Sequence, residues 1–252
     1  MLVLVVSFEH GLVWVLLGLL AAAALAELSL YAERASGESL SLGLFWEALT
    51  GTRVGMTWLA RLGFSLLVVL NVTFAAREGK RAYWLLATVL ATVPLLTLSQ
   101  LSHAAAEGRF LPFFADWLHA TAASVWMGGL LGFSALLLGP VRKMSAEART
   151  ELLRRAVPRF STMATLSVLV LLITGVYASL LHVPSFSAFI GTPYGRALSM
   201  KLGVVVIMLF TGAINLIDQG REESFNIMVR FELVLAFGVF VTTGFLTSLP
   251  PP

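Results

Sequence analysis

Three of the chain's four histidines fall where apolar stretches end: His103, His119 and His182. Asp116 precedes His119 by three residues, a spacing that puts both on one face of a helix. Imidazole suits copper and zinc, a carboxylate can complete such a shell, and thioether sulfur favours Cu(I). His103, Asp116 and His119 are therefore candidate metal ligands. His182 joins them on its depth along a helix alone. Met127 and Met163 are candidates for passing a soft ion inward, and Trp126 lies two turns deeper than His119 on the same face. The ordinary readings stand beside these: a histidine at a helix end is commonly interfacial, and scattered methionines are commonly packing. Two histidines at matched depth on neighbouring helices also suit a bis-histidine haem b, which leaves an electron-transfer protein open. A non-transporting assembly factor for a copper enzyme is open as well. Cysteine is absent, so disulfides, thiolate metal sites and cysteine nucleophiles are excluded. No GxSxG, HExxH or phosphate-binding loop occurs, so neither hydrolase chemistry nor an ATPase engine is expected.

The elements that must position these residues are membrane helices. Hydrophobic residues make up 58% of the 252 and charged residues 12%, against about 25% charged in a soluble domain. A chain this apolar has more hydrophobic surface than one aqueous core can hide. A spanning helix needs roughly 20 apolar residues, and that scale gives seven runs: about 11–31, 57–76, 83–103, 117–138, 160–182, 197–217 and 228–248. They are too long and too continuously apolar for barrel strands. The expected fold is an all-α, polytopic transmembrane bundle forming a single domain over 1–252. No internal repeat is evident. No cleavable signal peptide is read at the start, so the first helix is expected to stay in the membrane.

Orientation follows from lysine and arginine. Eleven of the seventeen lie in the loops after spans 2, 4 and 6 or at the adjoining helix ends. That side is expected to be cytoplasmic, with the N-terminus inside and the C-terminus outside. Segments 32–56, 104–116 and 183–196 then face outward. Because the basic residues sit in short loops between spans, the net charge of +3 reads as topology rather than a nucleic-acid patch.

Ionisable residues inside spans are costly and mark function or pairing. Lys201 lies about a turn inside span 6 and can snorkel outward. Glu232 sits just inside span 7, within reach of Arg230 or Arg159. Arg61, near the outer end of span 2, reads as an anchor. Asn71 and Asn215 are placed to bond between helices, and Gly128, Gly129 and Gly132 to allow close helix contact.

An ordered set of motifs resembles a known family. The run Asp116-x-x-His119 followed by Trp126-Met-Gly128-Gly129 resembles the "D-x-x-H … W-x-G-G" segment of the copper resistance protein D (CopD/PcoD) family. Ser102-His103-Ala104 resembles its "GHA", with Ser for Gly. Arg159-Phe160-Ser161 with Thr174-Gly175 resembles its next helix. Thr192-x-Tyr194-Gly195 … Lys201 resembles "T-x-Y-G-x-x-L-x-x-K". Arg230-Phe-Glu232 and Leu249-Pro250-Pro251 resemble the closing helix, and Thr52-x-x-Gly55 with Arg61 resembles "T-x-x-G … R". The match covers roughly 50–252. The resemblance implies eight spans, one more than read here, the difference lying at the N-terminus. No CopC-like domain is fused to the chain as given. The resemblance further implies copper transport or copper homeostasis in a bacterial inner membrane, with copper received from a periplasmic carrier of the CopC type or supplied to a membrane copper enzyme. Its site residues would be His103, Asp116 and His119, with Lys201 and Glu232 on the later helices.

Overall fold

The structure, a computed structural model, describes residues 2–101, 110–183, 185–217, 222–247 and 249. Its elements among these residues are helices, with no strand. In order they are α1 (Leu2–Ser36), α2 (Leu42–Gly51), α3 (Arg53–Glu78), α4 (Arg81–Leu101), α5 (Phe110–Leu138), a 3₁₀ turn (Pro140–Lys143), α6 (Ala146–His182), α7 (Phe186–Gly191), α8 (Pro193–Ile217) and α9 (Glu222–Thr247). The all-α reading holds. By length and hydropathy, five helical stretches among the described residues can cross a membrane: Val13–Ser36, Arg53–Glu78, Phe110–Leu137, Ala146–His182 and Pro193–Gly212. Two shorter apolar stretches, Ala82–Thr97 and Phe231–Thr247, lie in α4 and α9.

The surface explains the solvent. Side chains such as Leu19, Val89, Phe210 and Phe237 stand mostly exposed on the helices. Apolar patches of that extent on a soluble monomer would drive association, whereas hydrocarbon leaves them at rest. Lipid is as apolar as leucine, so helix contact must come from close packing rather than from burial out of water. Accordingly, eight of the nineteen buried apolar side chains among the described residues are alanines.

The chain divides into two compact units, Met1–Trp117 and Leu118–Pro252. In the first, α1 packs on α2 and α3, and α3 packs on α4. Leu28, Ala32 and Ala48 form the α1–α2 contact. Pro94 interrupts the hydrogen-bond ladder of α4. Side-chain donors take up carbonyls nearby: the Thr97 hydroxyl donates to Pro94 O, and the Trp117 indole N–H donates to Thr92 O at 3.2 Å. In the second unit, α8 packs on α7 and α9. Phe133 of α5 and Phe160 of α6 stack 4.8 Å apart and 3° from parallel. Trp126, Leu130, Met208 and Ala236 form a core drawn from α5, α8 and α9.

Each unit contains the same local device, although the sequence shows no periodic repeat. A short helix capped by serine, Ser41 for α2 and Ser185 for α7, ends at a threonine that caps the next long helix. Thr52 Oγ1 donates back to Ala48 O at 2.6 Å and accepts from Gly55 N–H at 3.1 Å. Thr192 Oγ1 donates to Ala188 O at 2.7 Å and accepts from Gly195 N–H at 3.0 Å. One hydroxyl thus stitches two helices together at a sharp corner. Glycine follows three residues on because the corner leaves no room: a Cβ on Gly55 would overlap the carbonyls of Ala48 and Leu49, and one on Gly195 those of Ala188 and Phe189. Six residues further on stands a cation in each unit, Arg61 or Lys201. The short helices differ in length, ten residues against six, so no fixed period links the two copies.

Candidate metal centre

His119 lies in the first half of α5, where the absence of glycine between Phe110 and Gly128 favours an unbroken helix. Its ring is half-buried. The Nδ1 atom lies 2.8 Å from Thr174 Oγ1 of α6. Thr174 is buried, and its hydroxyl also lies 2.7 Å from Val170 O, one turn back on α6. Gly175 follows, and a Cβ there would sit 3.6 Å from His119 Cε1. The imidazole edge is therefore seated against the Thr174–Gly175 step of α6. The sequence reading noted these two residues only as part of a family-like helix and gave them no role at the site.

Asp116 is half-buried and precedes His119 by three residues on the same helix. His103 falls in 102–109, outside the described residues. Among the described residues, no group of three or more His, Cys, Asp or Glu is close enough to hold a metal ion. The structure brings His119 to Thr174, but it does not bring His182 to His119. His182 lies eight residues beyond Thr174 on α6, about 12 Å of helical rise. Its Nδ1 sits 2.8 Å from Ala178 O of its own helix, and its ring is 6.4 Å from that of Tyr194.

Trp126 is buried in the core of the second unit, with Met127 packed against it. The Met163 methyl occupies the space beside Gly129, so that a Cβ there would overlap it. Met208 of α8, which sequence reading passed over, is buried in the same core as Trp126. Of the three glycines expected to allow helix contact, Gly129 does so against Met163 and Phe160, while Gly128 and Gly132 face open space. Lys201 of α8 is half-buried. The Glu232 carboxylate of α9 reaches α8, with Oε1 3.9 Å from where a Gly212 Cβ would sit.

Arg61 is not a surface anchor. It is 7% exposed, its Nε donates to Thr97 Oγ1 of α4 at 2.9 Å, and its guanidinium lies 4.2 Å from the Trp58 ring centroid. A planar, delocalised cation can be held inside a bundle in this way, by one fixed hydrogen bond and one aromatic face. Asn71, expected to bond between helices, has a buried Oδ1 with no hydrogen-bond partner among the described residues, and the side chain of Asn215 lies outside them.

Comparison with known proteins settles the family. The N-terminal domain of copper resistance protein D-like proteins matches residues 2–112, and copper resistance protein D itself matches 154–246. The chain belongs to the copper resistance protein D family. It is 30% identical over 222 residues to the copper transport protein CutJ of Bacillus subtilis (strain 168), an alignment covering 86% of this chain and 40% of that protein. The chain thus spans about two fifths of the length of that relative. No solved structure matches it.

Proposed function

We propose that this chain carries copper across, or delivers copper within, a bacterial inner membrane, receiving the ion at the outer ends of the helices that bear His103, Asp116 and His119. Family membership and the copper transport protein it resembles supply the substrate class. The single observation that carries the site is His119: its imidazole, part-way down a membrane helix, is held in place by a side chain of a second helix. Ionisable groups at such positions are functional by default. A two-residue site of Asp116 and His119 is too small for a transition metal, and His103 supplies the third donor. Met127, Met163 and Met208 offer softer sulfur contacts deeper in. Lysine- and arginine-rich loops support an N-terminus in the cytoplasm and a C-terminus in the periplasm, a topology that suits receipt of the ion from a periplasmic carrier of the CopC type.

Metal analysis of purified protein tests the site. Wild type retains copper, and His103→Ala combined with His119→Ala abolishes it. Unchanged copper stoichiometry in the double variant overturns the assignment. Affinity falls as pH drops through about 6, because the neutral imidazole is the ligand and its protonated form is not. Copper flux into proteoliposomes separates transport from a docking role. A Soret band in the purified protein would replace copper with haem b.

A further inference from the structure

Thr174 has one hydroxyl proton and two short contacts. Its Oγ1 lies 2.7 Å from Val170 O and 2.8 Å from His119 Nδ1. A backbone carbonyl can only accept, and a neutral imidazole nitrogen either donates or accepts depending on tautomer. Suppose the hydroxyl proton pointed at the ring. Two acceptor oxygens, Thr174 Oγ1 and Val170 O, would then face each other at hydrogen-bond distance with no proton between them. Suppose instead that it points to Val170 O. Thr174 then accepts from Nδ1–H, and both contacts become hydrogen bonds. The first arrangement presses two lone-pair-bearing oxygens together at 2.7 Å with no proton between them, whereas the second makes a hydrogen bond of each contact, so the second is favoured.

We infer that Thr174 fixes His119 as the Nδ1–H tautomer, which makes Nε2 the nitrogen that binds copper. This rests on the proposed copper site and adds to it a positioning residue on a different helix. Thr174 touches no metal. It sets the ring's rotation and selects the nitrogen that carries the lone pair, the role an outer hydrogen-bond acceptor plays for metal-bound histidines. Gly175 borders the ring as well, but a Cβ there would meet His119 Cε1 at 3.6 Å, an ordinary contact, so the positioning rests on Thr174.

The tautomer can be read without copper. Long-range nitrogen–proton correlation spectra of full-length protein labelled with ¹⁵N-histidine distinguish the two neutral forms, and His119→Gln identifies the His119 signals by their loss. At alkaline pH, wild type and Thr174→Ser show His119 protonated at Nδ1, whereas Thr174→Val, which keeps the shape and loses the acceptor, moves the proton wholly or partly to Nε2. Copper affinity falls roughly 10–100-fold in Thr174→Val and is restored in Thr174→Ser. An Nε2–H wild-type His119 overturns the inference, as does a Thr174→Val protein that binds copper as tightly as wild type. Should Thr174→Val fail to fold, the wild-type and Thr174→Ser spectra still decide the tautomer. A wild type that binds no copper but shows the Nδ1–H tautomer refutes the copper site and leaves the positioning by Thr174 intact.

Discussion

At the scale of single residues, Arg61 shows what a sequence can and cannot say about a charge in a membrane. Its place near the start of an apolar run was legible, and that place reads as an anchor. Its burial was not, because the partner that accepts its Nε–H, Thr97, lies 36 residues away on α4. The two side chains are expected to respond unequally to mutation. Thr97→Val leaves the guanidinium short of its acceptor and should destabilise by about 1–3 kcal/mol. Arg61→Met removes the cation and its desolvation cost together, and should be near neutral or stabilising. Denaturant unfolding in detergent measures both, and an equal loss in the two variants would contradict this account. Asp116 and His119 were legible as a pair from spacing alone, but Thr174 was not. A threonine in an apolar helix is common, and only the packing of α6 against α5 shows that its hydroxyl meets an imidazole.

Helices were the most legible feature, because runs of 20 apolar residues admit little else in lipid. Their ends were less so. Residues 160–182 read as a span, yet α6 begins at Ala146, because hydropathy cannot follow a helix once it leaves the hydrocarbon. The short helices α2 and α7 fall in stretches read only as outward-facing segments. Their signal was present in Ser41 and Ser185, each an N-cap whose Oγ accepts a backbone N–H three residues on. Close contact between α5 and α6 was read from three glycines but belongs to one. Gly129→Ala is expected to cost about 1–3 kcal/mol by forcing the Met163 methyl aside, with Met163→Ala relieving most of that loss. Gly128→Ala and Gly132→Ala, which face open space, should change stability by less than about 0.5 kcal/mol. Thermal unfolding of the four single variants and the Gly129–Met163 double variant is the check.

For the whole molecule, composition fixes the solvent, and the loop charges are the ground for the proposed orientation. The absence of cysteine makes that orientation directly measurable, since every introduced thiol is the sole one. A cysteine at Glu38 should react with a membrane-impermeant maleimide in intact cells. Cysteines at Lys80 and Ser145 should react only after permeabilisation. The reverse pattern would invert the topology and put Asp116 and His119 near the cytoplasmic face. In sequence the recurring corner reads as two separate threonine–glycine motifs, Thr52-x-x-Gly55 and Thr192-x-Tyr194-Gly195, and the shared device shows only in the hydrogen bonds. Pattern searches look for a constant period, and the unequal lengths of α2 and α7 remove it.

The length of α6 has a mechanical consequence. Its 37 residues extend about 55 Å, well beyond the roughly 30 Å of bilayer hydrocarbon. The surplus is the charged end, where Glu151 pairs with Arg154 and Arg155. Thr174 lies twenty residues beyond Arg154 on the same helix, and Pro158 between them removes a rung of the hydrogen-bond ladder, so the helix has a hinge point between its charged end and the threonine beside the imidazole. Spin labels at Arg154 and at Leu180, on either side of Pro158, should therefore report different tilts of α6 if the proline acts as that hinge, and equal tilts if it does not.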